Sequence, residues 1–519
     1  QQRLTTIKII LSYLEDKSYE LEYETRKDSK DFLNNIHQKS EEDANGNIDF
    51  FHMRKAYVTI CEWFEKRNCR KEDFTETLKS KVQFIWYKTE EIDPIKVFTR
   101  LNIGKIALTD SELIKALFLN ESNFKNQNQN AIRLQQIEIA NEWDKIEYTL
   151  QNDEFWLFIQ NDLTFKTITR IDFILDLIRQ QEIFGNNGDC GNDEHQTFRY
   201  FYNYFNSNKK YINAEWLRKT WLSIKNYFQI FEEWYNDFEL YHYVGFLVDS
   251  GETIEKLILD FSGDKTKFKE SIKQKIYTKI ASCNNLLQEY EKGKSKTACY
   301  PLLLLYNIQT IIAQNKQLEE SKYGMAIFYK FPFHLMKKES WDMEHIDSNT
   351  TNPLTIFSEQ KEWLNDCLNE ITDENLKQEI TQFLQESEQP ENFDDLVSKI
   401  DQHLNIGFER LHEPQNEEEI NQKNLIWNYC LLDSGTNRSY GNAIFPAKRR
   451  RIIQKDKGEN GVSFVPPCTK NVFLKYYNQQ TNVLRAWEIQ DAKAYLLDIN
   501  KVLSGAGFIQ DQRAEIDNL

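Results

Sequence analysis

From residue 131 to residue 320, nearly every window of this chain sets apolar side chains three and four positions apart, the spacing of an amphipathic helix. RIDFILDLIRQ (Arg170–Gln180) and AEWLRKTWLSIKNYFQIFEEWYNDFELYHYV (Ala214–Val244) carry wide aromatic stripes at that spacing. Stripes of this width need a buried partner, so the aromatics read as core. At 40% hydrophobic and 13% aromatic residues, the chain can build real cores. The longest apolar run, YPLLLLYNIQTIIA from Tyr300, is interrupted by Asn307 and Gln309. It is too short and too polar to span a bilayer, reads as a buried helix, and gives no expectation of a membrane. No fixed repeat period suggests a solenoid.

The flanking regions differ. Leu4, Ile7, Ile10, Leu11 and Leu14 follow helical spacing, as does an aromatic-rich segment from Phe50 to Phe64. VQFIWYKT (Val82–Thr89) is β-branched and aromatic and predicts a strand, followed by the helix DPIKVFTRLN and a turn at Gly104. Thr109 stands three residues before Glu112, the spacing of a capping box. NESNFKNQNQN, residues 120–130, reads as a linker. MAIFYKFPFHL (Met325–Leu335) is strand-like, with Pro332 arguing for an edge. A helical insertion is expected over about 356–404, a closing helix over Trp487–Leu503, and a frayed last dozen residues. These patterns divide the chain into 1–119, a helical middle over 120–324, a third segment over 325–460 and a helical extension over 461–519. The fold class is α+β, mainly helical and multidomain.

Net charge is −16 and the pI about 5.2. Phosphate binding is driven by Lys and Arg releasing counterions, so any nucleic-acid face on this chain must be local. The eight cysteines form no C-x-x-C, which argues against a zinc knuckle or a dithiol redox site. With no signal peptide, reduced thiols in a cytoplasm are the expectation. The chain opens on Gln1 rather than Met, so a preceding N-terminal portion is expected.

The chemistry concentrates in three stretches. WDMEHIDSNTTNP (Trp341–Pro353) puts Glu344 beside His345. WNYCLLDSGTNRSYGN (Trp427–Asn442) supplies Asn428 and Asn437, and Lys448, Arg449, Arg450 and Arg451 follow as a basic tract. Phosphodiester hydrolysis needs a water made nucleophilic, which a near-neutral histidine serves. It also needs charge neutralisation at phosphorus, which a divalent ion held by carboxylate and amide oxygens supplies. Adjacent strand residues face opposite ways, so Glu344 and His345 need a strand end or bend to share a site. The basic tract also fits a solvated helix face, and Asn437 a helix cap. No Walker A pattern is present.

Glu344-His345-Ile346, followed by Asn428 and Asn437, resembles the His-Me finger (HNH, ββα-metal) nucleases. The resemblance implies His345 as general base, Glu344 and Asn437 as ligands of Mg2+ or Mn2+, Asn428 as the brace of the loop, and the Lys448–Arg451 tract on the DNA backbone. Ninety-two residues separate His345 from Asn437, and the insertion accounts for the distance. Gln1-Gln2-Arg3 resembles the end of the Asp-Gly-Gln-Gln-Arg motif of GmrSD-type restriction proteins, and FTRLNIGKIALTDSELIKALF (Phe98–Phe118) resembles their second N-terminal signature. That domain is ParB/sulfiredoxin-like and handles a nucleotide. Gln1, Gln2, Arg3, Asn102 and Gly104 are its implied contacts here, and a nucleoside triphosphate is an implied cofactor. The combined resemblance implies a metal-dependent, nucleotide-regulated DNA endonuclease of a phage-defence restriction system, with modified DNA as one substrate option. An oligomer or partner subunit stays open. The alternative is a non-catalytic DNA-binding or nucleotide-driven regulatory scaffold.

Overall fold

The computed structural model describes the chain except residues 1, 17–18, 24–25, 27, 46, 68, 83–107, 121–128, 162–168, 187, 262, 291–295, 321–328, 348–353, 355, 405–423, 436–442, 460–463, 479–485 and 519. Residues 83–89 of the expected strand, the helix and turn after it, most of the 120–130 linker and Asn437 therefore lie outside the described residues. The described chain is mainly helical, as its periodicity predicts, and no described helix is long and apolar enough to cross a membrane. It divides into two compact units, residues 1–155 with 164–232, and residues 156–163 with 233–519. This division runs through the helical middle that the sequence presents as one segment.

In the first unit, α1 (Gln2–Tyr13), α2 (Asp28–Asn34) and α3 (Ile48–Arg67) close around Ile9, Phe32, Leu33 and Ile36. The Thr109 capping box forms as read: the Thr109 hydroxyl accepts from the Glu112 amide, and the Glu112 carboxylate accepts from the Thr109 amide at 3.0 Å. It starts α4 (Asp110–Leu119), which packs beside α5 (Gln129–Gln151) and α6 (Ile171–Gln180). Trp143 on α5 stacks on Trp221 of α7 (Ala214–Asn236), with centroids 5.6 Å apart.

The stripe read through Ala214–Val244 is two helices. Asp237 takes the β region and its carboxylate accepts from the Leu240 amide at 2.9 Å, so α7 ends and α8 (Phe238–Asp249) begins there. In the second unit α8 is buried along most of its length, as is α9 (Tyr300–Glu319), the apolar run of the sequence. Asn307, which broke that run, accepts from the Cys468 amide at 3.0 Å.

Two expectations need correcting. The strand-like stretch around Pro332 leads into a helix, α10 (Phe333–Glu339), because proline donates no ladder hydrogen bond and here caps a helix start. Residues Met325–Phe328 of that stretch lie outside the described residues. The chain end is ordered rather than frayed. Phe508, Ile509 and Ile516 are buried, Gln512 donates to the Asn284 carbonyl at 2.7 Å, and α17 (Arg513–Asp517) closes the chain.

After α10, Ser340 adopts a left-handed conformation (φ 51°) that turns the chain into β1 (Trp341–His345). The insertion follows as α11 (Phe357–Leu368), α12 (Glu374–Gln385) and α13 (Phe393–Leu404). β2 (Tyr429–Asp433), α14 (Phe445–Asp456), α15 (Pro467–Phe473) and α16 (Ile489–Gly505) complete the unit.

Candidate active site

β1 and β2 pair antiparallel, with Trp341 opposite Asp433 and His345 opposite Tyr429. All five residues of β2 are buried. They are Tyr, Cys, Leu, Leu and Asp, a nearly continuous apolar run with no polar alternation, as a strand covered on both faces requires. Thr469 of α15 seals one carbonyl, donating its hydroxyl to Leu431 O at 2.6 Å. Helix α14 follows β2 in the chain, and its Lys448 side chain reaches the end of β1. The Lys448 ammonium donates to Glu344 Oε1 at 2.5 Å and to the His345 carbonyl at 2.7 Å.

Lys448, expected on the DNA backbone, is fully buried, and its ammonium is paired with Glu344. A buried ammonium is tolerated only when a counter-charge and acceptors surround it. Glu344, expected as a metal ligand, is buried on β1 opposite Cys430. A carboxylate already neutralised by a lysine is a poorer cation ligand than a free one. The Cys430 thiol is pushed up to about 12, chiefly by burial and then by the Glu344 charge.

His345 follows Glu344 on the strand, so its side chain leaves the opposite face. Its ring lies 4.6 Å from that of Tyr429, tilted by 41°, and the residue is half-buried. The chain just beyond it is clamped by Asn428. The Asn428 carbonyl accepts from the Ile346 amide at 2.8 Å. Its side-chain oxygen accepts from the Asp347 amide at 2.8 Å, and its side-chain nitrogen donates to the Asp347 carbonyl at 2.9 Å. One amide thus satisfies both backbone groups of a buried residue, which fixes the exit from β1 without a third strand.

Asp347 is the residue that sequence reasoning passed over. It is buried, in the bend two positions beyond His345 at the end of β1.

Two arginines of the tract face the insertion. Arg450 pairs with Glu370 and donates to the Asp366 carbonyl at 3.4 Å, and Arg451 pairs with Asp366. Burial raises the Asp366 carboxyl above its ordinary range, and Arg451 and Arg450 pull it back down. Arg449 is half-buried, and its Nε has no hydrogen-bond partner among the described residues.

Of the expected nucleotide contacts, Gln2 and Arg3 lie on α1, while Gln1, Asn102 and Gly104 lie outside the described residues. Asn437, the expected second metal ligand, lies outside them too. Among the described residues, no group of three or more His, Cys, Asp or Glu is arranged to hold a metal ion. The expected pair, Glu344 with Asn437, is not such a group, and of the two only Glu344 lies among the described residues. What the described residues make is a histidine at a strand end, held from one side by an asparagine clamp and from the other by a buried lysine on a helix.

Residues 1–119 match the family model of the N-terminal domain of the GmrSD restriction endonucleases, the span that the sequence sets apart as its first segment. The similarity is to the N-terminal part of a restriction endonuclease. No curated protein and no solved structure matches the chain.

Proposed function

We propose that this protein is a DNA endonuclease of a GmrSD-type phage-defence restriction system, and that its hydrolytic centre is built on His345. The observation that carries the reading is the clamp around that residue. Asn428 grips both backbone groups of Asp347, and Lys448 holds the His345 carbonyl. A general base must be held within reach of the proton it removes, and these contacts fix the backbone at His345 and just beyond it. His345 takes a proton from water, the water oxygen attacks phosphorus, and one ester P–O bond breaks as its oxygen leaves and takes a proton from solvent. The match over residues 1–119 supports the restriction-system context and DNA as the partner. Nucleotide regulation, preference for modified DNA and a requirement for Mg2+ or Mn2+ belong to the same proposal.

The test is nicking of supercoiled plasmid with Mg2+, Mn2+ or a chelator, comparing the natural protein with His345→Ala. General-base help is worth about a hundred- to ten-thousand-fold, so the variant should lose activity on that scale. Chelation should abolish cutting. Equal cutting by both proteins removes His345 from the chemistry. A second reading, a non-catalytic nucleic-acid or nucleotide-driven scaffold, is favoured by one observation, the engagement of Glu344 by Lys448. It predicts DNA binding without strand scission in any of these conditions.

A further inference from the structure

The acidity of this chain is unevenly placed. Residues 357–404, helices α11 to α13, hold thirteen Asp and Glu against three Lys, a net charge of −10. The whole chain carries −16, so the other residues together contribute only −6. This acidic segment has a core of its own. Phe383 packs against both Phe357 and Phe393, Trp363 packs against Phe393, and Leu364, Ile380, Leu396 and Ile400 are buried. Toward α14 it presents acids: Glu370 and Asp366 take Arg450, and Asp366 takes Arg451. Those guanidinium groups stand two and three residues after Lys448, the side chain that holds the His345 strand end.

We propose that the three-helix insertion is a built-in acidic cover that competes with a nucleic-acid backbone for Arg450 and Arg451. An Asp or Glu carboxylate and a phosphate diester offer a guanidinium the same thing, a pair of anionic oxygens in a plane that suits its fork. The two cannot occupy one arginine together. While Asp366 and Glu370 hold the tract, a duplex approaching His345 meets the field of a −10 segment and finds two of its cations taken. Displacement of the insertion exposes the arginines and removes that field from the approach. This inference rests on the proposed DNA-directed function and assigns the insertion its role there.

The experiment measures both binding and cutting on the full chain. Anisotropy of a labelled duplex is recorded across a salt series for the natural protein, Asp366→Asn with Glu370→Gln, and Arg450→Ala with Arg451→Ala. Plasmid nicking is measured alongside, with His345→Ala as the control. The acid-neutralised protein should bind about tenfold or more tighter, with a salt dependence steeper by about two contacts. The arginine variant should bind no tighter than the natural protein. Because neutralising the acids could loosen the insertion, a pair-swapped protein, Asp366→Arg with Arg451→Asp, is added. It restores an ion pair at the docking point while taking one cation from the tract, and it should bind no tighter than the natural protein.

Unchanged affinity in the acid-neutralised protein, with its melting transition intact, overturns the cover. If that result comes with His345-dependent nicking, the nuclease reading stands without it. Tighter binding with no nicking by any variant supports the cover and defeats the nuclease. Absence of duplex binding by every variant defeats both.

Discussion

At Lys448 an ammonium sits in the interior with 1% of its side chain exposed, held by one carboxylate oxygen and one carbonyl. Removing one partner of such a pair strands the other, and the stranded charge costs far more than the pair was worth. Lys448→Met should therefore destabilise the second unit by about 3–5 kcal/mol. Lys448→Met with Glu344→Gln should recover most of that loss. Urea unfolding of the four proteins in the cycle measures it, and a single variant as stable as the natural protein refutes the burial. The same residue marks a limit of sequence reading. KRRR looks alike whether it faces water or the interior, and the acid that decides the matter lies 104 positions upstream. The Thr109 capping box was legible because both of its partners are three residues apart and share one helical turn. His345 was legible as a candidate from its neighbours in the chain, but the Asn428 clamp on Asp347 needed the fold to bring position 428 beside 347.

Among the elements, helices whose apolar residues repeat over several turns were readable, including the insertion over α11 to α13. The break at Asp237 escaped because the aromatic stripe continues through it, so periodicity alone gave no stop. The helix after Pro332 was misread because phenylalanine suits a strand as well as a helix core, and local composition did not separate the two. The antiparallel register of β1 with β2 joins segments on either side of the insertion, which no local pattern encodes. One junction of elements carries a sharp prediction. Gly245 lies on α8, and a Cβ there would stand 2.3 Å from the ring of Phe333 at the start of α10. The ring is buried and packs against Tyr241 and Phe331, so making way for a methyl disturbs both. Gly245→Ala should cost about 1–3 kcal/mol, although alanine is the better helix former. Adding Phe333→Leu should return part of the loss. A Gly245→Ala protein more stable than its parent contradicts the close packing of α8 on α10.

For the molecule as a whole, pH acts through a few interior groups of opposite sense. Glu147 on α5 is half-buried among Lys115, Asp144, Asp172 and Glu112, and burial first, then its acidic neighbours, raises its carboxyl to about 7, with Lys115 opposing. The folded chain therefore holds this proton more tightly than the unfolded chain does. Its contribution to stability is full below about 4.5, the ordinary value, and is lost as pH rises toward 7. Asp249 in the second unit behaves likewise, raised by burial to about 6. His242 runs the other way. Burial lowers it to about 4, and its neutral ring donates to the Phe238 carbonyl and accepts from the Phe331 amide, so its contribution is lost as pH falls from 6.5 toward 4. Between 4.5 and 6.5 these terms oppose one another, which makes the total pH profile a poor witness to any one group. The difference between two proteins isolates Glu147. Glu147→Gln keeps the shape and removes the titration. It should stabilise the chain at pH 8 by up to about 3 kcal/mol, with the gain shrinking toward zero at pH 4.5. Thermal unfolding of both proteins at the two pH values reads this directly. An equal gain at both places the effect in packing or helix propensity and not in a carboxylate forced to ionise against its surroundings.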